Sequence, residues 1–179
     1  MKTIALFGGS FDPPHIGHEA IVKALSKLTY IEKIVLMPTF LNPFKETSFA
    51  PAQKRLEWLK EIFASVEKVD VSSYEVFKNK KVPTIETVNH LLKTYKKVYL
   101  VIGADNLANL ESWHRYDELK KRVTFIVASR DEIVVPECFI KLKVDVAISS
   151  SSLREKMDSK YLPKTETREI IKHYKENNE

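Results

Sequence analysis

The residues best suited to chemistry are two histidines, His15 and His18, set three apart directly after the turn Gly8-Gly9-Ser10-Phe11-Asp12-Pro13-Pro14. Before the turn, residues 4–7 form a short apolar run, as expected of a strand buried on both faces of a parallel sheet. After it, Ile21, Val22, Leu25 and Leu28 recur at helical spacing. A glycine-rich turn from strand to helix offers backbone N–H groups and a positive helix end to an anion. Side chains three apart on a helix share a face, so both imidazoles stand beside that anion site. Asp12 reads as the helix N-cap, with Pro13 and Pro14 in the first turn, where a missing N–H costs nothing. The plainer alternative is a tight turn carrying two surface histidines. Composition argues against it. The chain has only four glycines, and three of them (Gly8, Gly9 and Gly17) fall in this stretch.

A second anion site is suggested by Ser149-Ser150-Ser151-Ser152, which precedes a helical segment carrying Arg154. Hydroxyls, helix-start N–H groups and a guanidinium together suit phosphate oxygens. On these residues alone, a plain N-cap beside a surface arginine explains the pattern equally well. No third histidine, cysteine or carboxylate stands at a recognisable metal-ligand spacing from His15 and His18, so no protein metal site is expected. His90, His114 and His173 read as structural or exposed.

The elements that must position these groups alternate along the chain. Residues 33–38, 69–74, 98–103, 123–128 and 144–148 read as strands. Between them, Pro51 opens a helix with Leu56, Leu59, Phe63 and Val66 as its stripe, and Pro83 opens another with Ile85, Val88, Leu92 and Tyr95. Helices are also expected over about residues 113–121 and from about Thr165, with Ile170, Ile171 and Tyr174 inward. Such alternation predicts an α/β fold with an open parallel sheet. Right-handed crossovers place the strand-end loops along one edge, where ligands of such sheets bind. Residues 8–18, 39–45, 103–105 and 149–154 all fall at that edge.

Length and composition bound the class. The 179 residues are 44% hydrophobic and 30% charged, enough for one globular domain with a real core. No apolar run approaches the ~20 residues needed to span a bilayer, and no signal-peptide core follows the N-terminus. The single Cys138 forms no internal disulfide, which suits the cytoplasm. The net charge of +5 is dispersed, and clusters such as Lys93-Thr94-Tyr95-Lys96-Lys97 are explained equally well as RNA contacts or as exposed basic helix ends. Neither nucleic acid nor membrane is expected as a partner. Monomer and homo-oligomer are equally compatible with the sequence.

The stretch Gly9-Ser10-Phe11-Asp12-Pro13-Pro14-His15-Ile16-Gly17-His18 resembles the nucleotidylyltransferase signature Gly-x-Phe-x-Pro-x-His-x-Gly-His, with every fixed position matched. Ile148-Ser149-Ser150-Ser151-Ser152-Leu153-Arg154 is similar to the Ile-Ser-Ser-Thr-x-Ile-Arg signature of nicotinate-nucleotide adenylyltransferases, with Ser for Thr and Leu for Ile. Gly103-Ala104-Asp105 followed by Trp113, and Thr84 with Thr87 after Pro83, resemble two further segments of the same family, though Pro83 and Glu86 depart from its usual residues. Residues 39–45 keep Pro43 and Lys45 but carry Phe44 where the family usually has histidine. The resemblance covers nearly the whole chain. It implies a single-domain, Rossmann-like open parallel sheet with helices on both faces, spanning residues 1–179. It also implies adenylyl transfer from ATP to nicotinate mononucleotide, with Mg²⁺ carried on the ATP.

By the same resemblance, Gly8, Gly9, the backbone of Ser10 and Phe11, and His15 and His18 meet the phosphates. Lys45, Ser150, Ser151 and Arg154 hold the reacting and leaving phosphates, and Gly103 and Asp105 meet the adenosine ribose. Thr84, Thr87 and Trp113 form the pyridine end. Phosphopantetheine adenylyltransferases share the first motif but usually carry Thr-x-Gly-His and no counterpart of Arg154. Nicotinamide mononucleotide stands as the alternative acceptor. Lys156-Met157-Asp158-Ser159-Lys160 is similar to the signature loop of class I aminoacyl-tRNA synthetases, but a chain this short has no room for a tRNA-reading domain. It reads as a helix end.

Overall fold

A computed structural model describes residues 1–129, 133–146 and 148–177. Six parallel strands form one sheet: β1 (Thr3–Gly9), β2 (Lys33–Pro38), β3 (Val69–Val71), β4 (Lys97–Gly103), β5 (Val123–Ser129) and β6 (Ile140–Lys143). Their order across the sheet is β3-β2-β1-β4-β5-β6, so the direction of winding reverses between β1 and β4. The helices are α1 (Ile16–Ser26), α2 (Ala52–Ile62), α3 (Tyr74–Phe77), α4 (Thr84–Leu91), α5 (Tyr116–Arg122), α6 (Ser150–Glu155) and α7 (Thr167–Glu176).

The two faces of the sheet follow from the alternation of side chains along its central strands. Ile4 and Leu6 of β1 point to one face, with Leu100 and Ile102 of β4, and pack under Ile85, Val88 and Leu91 of α4 and Leu119 of α5. Ala5 and Phe7 point to the other, where Val22 and Leu25 of α1 and Leu59 of α2 cover them. Both faces are buried, which is why residues 4–7 read as an unbroken apolar run. A third cluster, Trp58, Leu153, Leu162, Ile170 and Tyr174, fastens α7 against α2 and α6.

The structure departs from the sequence reading at three elements. The strand expected over 69–74 stops at Val71, and the chain turns into the short helix α3. The last strand is Ile140–Lys143 rather than residues 144–148, of which Ala147 lies outside the described residues. Ile140 and Leu142 turn inward while Lys141 and Lys143 face water, the pattern of an edge strand with one covered face. Val144 still donates its N–H to Ser129 O at 3.0 Å, after which Val144, Val146 and Ile148 leave the sheet and line a cavity. The third departure is Asp12, which does not cap α1; Pro13 and Pro14 precede the helix, which begins at Ile16 with His15 as its cap. The Asp12 carboxylate accepts from the N–H groups of Phe49 and Ala50 at 2.7 and 2.9 Å and from the Tyr174 hydroxyl.

Candidate active site

Helix α1 is capped by His15, in extended backbone conformation. The His15 Nδ1 accepts from Gly17 N at 3.0 Å, and the Nδ1 of His18 accepts from His15 N at 3.0 Å. Two otherwise unpaired helix-start donors are thus satisfied reciprocally, a role usually taken by Ser and Glu. The imidazoles stack with centroids 3.7 Å apart, and Phe11 meets His18 edge-on at 4.6 Å. Gly17 makes this stacking feasible: a Cβ there would lie 2.8 Å from the His15 ring and 3.2 Å from Ile148 Cγ2. None of the glycines has positive φ; Phe11, at φ 49°, takes the left-handed conformation instead.

Because both Nδ1 atoms accept, each neutral ring carries its proton on Nε2. Burial lowers the His15 pKa from 6.5 to about 4. Burial first, and then His15, push His18 well below its usual value. At neutral pH the pair therefore consists of two uncharged N–H donors with a fixed tautomer.

These rings line a cavity of about 810 Å³ at the carboxyl ends of β1 and β4, where the winding reverses. Gly8, Gly9, Gly103, Asp105, Thr84, Thr87, Trp113 and Ser150 line it as well. Five expected residues do not. Ser10 turns its carbonyl to Arg55 at 2.6 Å, and the Phe11 side chain is buried. Lys45 is exposed on a loop turn closed by its own N–H to Asn42 O at 2.9 Å, while Asn42, Pro43 and Phe44 line the cavity. Ser151 is exposed. Arg154 donates to Asp12 O at 2.6 Å and lies 4.1 Å over the Phe49 ring.

Helix α6 begins with a second reciprocal cap, in which Ser149 and Ser152 satisfy one another's backbone. Its next residue, Ser150, donates to Pro13 O at 2.9 Å. Together with the Arg154 bond to Asp12 O, this ties α6 to the loop before α1. Lys156 ends the helix, so the synthetase-like stretch begins at a helix end, as read from the sequence.

Beneath the cavity lies a support that the sequence reading missed. Arg55 of α2 is fully buried and donates to four carbonyls: Ala50, Ser10, Thr39 and Phe40, all within 3 Å. One guanidinium thus joins the loop after β1 to the loop after β2. The signal was present, since Ala52, Arg55, Leu56 and Leu59 share one helical face, and an arginine in an apolar stripe must satisfy its donors internally. Asp12 and Tyr174 are the other half of this support. Burial, with Asp12 beside it, raises the Tyr174 hydroxyl well above its usual pKa, so it remains a donor.

Also on the cavity wall, Thr84 opens α4 directly after Pro83. Thr87 is buried, and its hydroxyl donates to Glu75 Oε2 at 2.8 Å. Glu75 lines the cavity too; burial, opposed by Thr87 and reinforced by Glu86, raises its carboxyl to about 7. The buried Trp113 Nε1 has no hydrogen-bond partner among the described residues.

The cytidylyltransferase-like family pattern matches residues 6–156. A protein of Sulfurimonas denitrificans described as "Probable nicotinate-nucleotide adenylyltransferase" is 61% identical over 98% of this chain and 97% of its own. One of Campylobacter fetus with the same description is 47% identical over 98% of each. The fold is similar to that of the Plasmodium falciparum nicotinic acid mononucleotide adenylyltransferase complexed with NaAD, with a TM-score of 0.81 at 22% identity, covering 99% of this chain and 98% of that one. Motif, fold and full-length similarity agree: this chain belongs to the nicotinate-nucleotide adenylyltransferases of the cytidylyltransferase-like family.

Proposed function

We propose that this chain transfers the adenylyl group of ATP to nicotinate mononucleotide, forming nicotinate adenine dinucleotide and pyrophosphate in the biosynthesis of NAD. The observation that carries this reading is the His15–His18 pair, two uncharged N–H donors fixed at the mouth of β1 in a cavity large enough for two nucleotides. A 5′-phosphate oxygen of the mononucleotide attacks the α-phosphorus of ATP in line. The bond to the β-phosphate bridging oxygen breaks, and pyrophosphate leaves with that oxygen. The protein forms no covalent bond. It orients two phosphates and stabilises charge as it moves.

His15 and His18 donate to the phosphate oxygens on which that charge develops. Gly8 and Gly9 give the phosphates close access to the backbone, with Ser10 and Phe11 following. Ser150 borders the triphosphate, while Ser151, Lys45 and Arg154 hold the reacting and leaving phosphates from outside the cavity lining. Gly103 and Asp105 meet the ribose of ATP. Thr84, Thr87 and Trp113 enclose the pyridine ring, and the whole of residues 1–179 acts as one domain.

Mg²⁺ enters on the ATP, where it neutralises phosphate charge. Among the described residues no group of three His, Cys, Asp or Glu side chains could hold an ion, and both histidine Nδ1 atoms already accept hydrogen bonds. Mg²⁺ would be held by substrate oxygens rather than by a protein cage. No helix among the described residues is long and apolar enough to cross a membrane. We place the enzyme in the cytoplasm, without nucleic acid or membrane as partner.

The test is pyrophosphate release with ATP and Mg²⁺, comparing nicotinate mononucleotide, nicotinamide mononucleotide and phosphopantetheine. Clear preference for the nicotinate compound is the expected result. Preference for either of the others, or release with none, overturns the reading.

A further inference from the structure

Glu75 is a buried carboxyl group that the transfer reaction itself does not use. It stands on α3 and is 6% exposed. It shares the cavity wall with Val82, Pro83, Thr84, Thr87 and Trp113. Its Oε2 is occupied by the Thr87 hydroxyl at 2.8 Å. Among the described residues no salt bridge reaches it. The faces packed against α3 are apolar: Ala52 and Leu56 from α2 and Val71 from β3 surround its neighbour Val76. On α3's own outer side, Tyr74 is stacked on His90 at 3.8 Å, and Lys78 lies 5.1 Å from the Tyr74 ring. The charged group that acts on Glu75 from α4 is another carboxylate, Glu86, whose nearest cation is Lys80 at 3.8 Å.

A buried carboxyl with one hydroxyl donor and no cation can exist in two useful forms. Ionised, it only accepts hydrogen bonds; protonated, it donates one. Two carboxylates sharing a site cannot both keep their charge cheaply. We propose that Glu75 reads the substituent on the pyridine ring: as a neutral acid anchored by Thr87 it donates to the ring carboxylate of nicotinate mononucleotide, whereas as a carboxylate it repels that group and accepts from a carboxamide. This inference rests on the adenylyl-transfer reading and deepens it. Acid-versus-amide choice becomes a proton-linked property of one side chain. Because burial holds this carboxyl near neutrality, both forms are accessible, and binding of the nicotinate compound at higher pH draws one proton onto Glu75.

The experiment measures KM and kcat for nicotinate and nicotinamide mononucleotides at saturating ATP and Mg²⁺, from about pH 7 to about pH 9, where the 5′-phosphate (second pKa about 6) stays ionised. For the wild-type protein, KM for the nicotinate compound should rise by up to about tenfold per pH unit while kcat stays level, and KM for the nicotinamide compound should not rise. Glu75→Gln keeps an acceptor for Thr87 and an N–H donor at every pH, so its KM for the nicotinate compound should be flat. A wild-type KM that is flat over this range, or a Glu75→Gln profile as steep as wild type, overturns the inference while leaving the adenylyl-transfer reading intact. Absence of turnover with either mononucleotide at every pH sinks both. Should Glu75→Gln fail to fold, calorimetry of the wild-type protein decides. At about pH 8, in two buffers of different ionisation enthalpy, uptake approaching one proton with the nicotinate compound supports the proposal, and zero uptake overturns it.

Discussion

Two helix starts flank the cavity, and both are closed by the same reciprocal device. In α1 the partners are His15 and His18; in α6 they are Ser149 and Ser152. The chemistry of the cap is shared but its surroundings are not. His15 is buried, with an eleven-residue helix behind it, whereas Ser149 and Ser152 are exposed at the head of a six-residue helix. The α1 cap consumes one nitrogen of each ring and leaves the other N–H available to a ligand. A serine cap has no second donor to spare. The groups of α6 that reach beyond the helix are their neighbours, Ser150 and Arg154, which bond to Pro13 O and Asp12 O.

The sharpest way to break this comparison is His18→Ala. Removing one preorganised donor from a phosphoryl-transfer site typically costs ~10²–10³ in kcat. The same loss is expected here, measured as pyrophosphate release, whereas Ser152→Ala in the other cap should leave kcat near wild type. Comparable losses from both would mean that the caps act only through helix stability.

Acid pH probes the same pair through folding. The folded pKa of His15 is depressed, from 6.5 to about 4, so below 6.5 the unfolded chain binds the proton that the folded chain refuses. Stability is fully present above pH 6.5 and is lost as pH falls toward 4, by at most about 3 kcal/mol from this group. Urea unfolding at pH 7 and pH 4.5 reads the difference, and His15→Asn, which retains a capping acceptor, should reduce it while leaving the part that the buried His18 contributes. An equal pH dependence in that variant would show that other groups dominate.

The turn before the first of these helix starts was legible because its residues act locally, although the reading put the cap at Asp12 and not at His15. Glycine, proline and histidine within eleven positions determine one turn, and the sheet follows from runs such as residues 4–7 that are apolar on both faces. Groups that act at long range were not legible. Asp12 looked like a cap because an aspartate before Pro-Pro commonly is one. Its true donors, Phe49 N, Ala50 N and the Tyr174 hydroxyl, come from 37, 38 and 162 positions away. Glu75 escaped notice for a similar reason. Its partner Thr87 is twelve residues on, across a turn from α3 to α4 that local propensity does not signal. The edge strand β6 was readable in the alternation Ile140-Lys141-Leu142-Lys143, but the more apolar residues 144–148 drew the assignment past it, toward side chains that serve the cavity.

A smaller effect is expected at Gly17, where the α1 cap leaves no room for a Cβ. Gly17→Ala would press on the His15 ring at 2.8 Å and on Ile148 at 3.2 Å. Overpacking of this kind costs about 1–3 kcal/mol, readable as a lowered urea midpoint at unchanged slope. A variant as stable as wild type would mean that the stacked geometry is looser than its 3.7 Å spacing implies.

The smallest effect tests the other side of the comparison. Ser149 accepts from Ser152 N at 3.1 Å, and Ser152 accepts from Ser149 N at 3.4 Å, both in contact with water. Ser149→Ala removes one cap acceptor, a change worth roughly 1 kcal/mol in a well-packed helix and less where water can substitute. Helix α6 is nevertheless anchored independently, by the buried Leu153 in the α2–α7 cluster and by the bonds of Ser150 and Arg154 to the loop before α1. Ser149→Ala should therefore lower stability by no more than about 1 kcal/mol and leave KM for ATP close to wild type. A large rise in that KM with little loss of stability would reverse the assignment, making Ser149 itself a phosphate ligand and the two caps equivalent in function as well as in form.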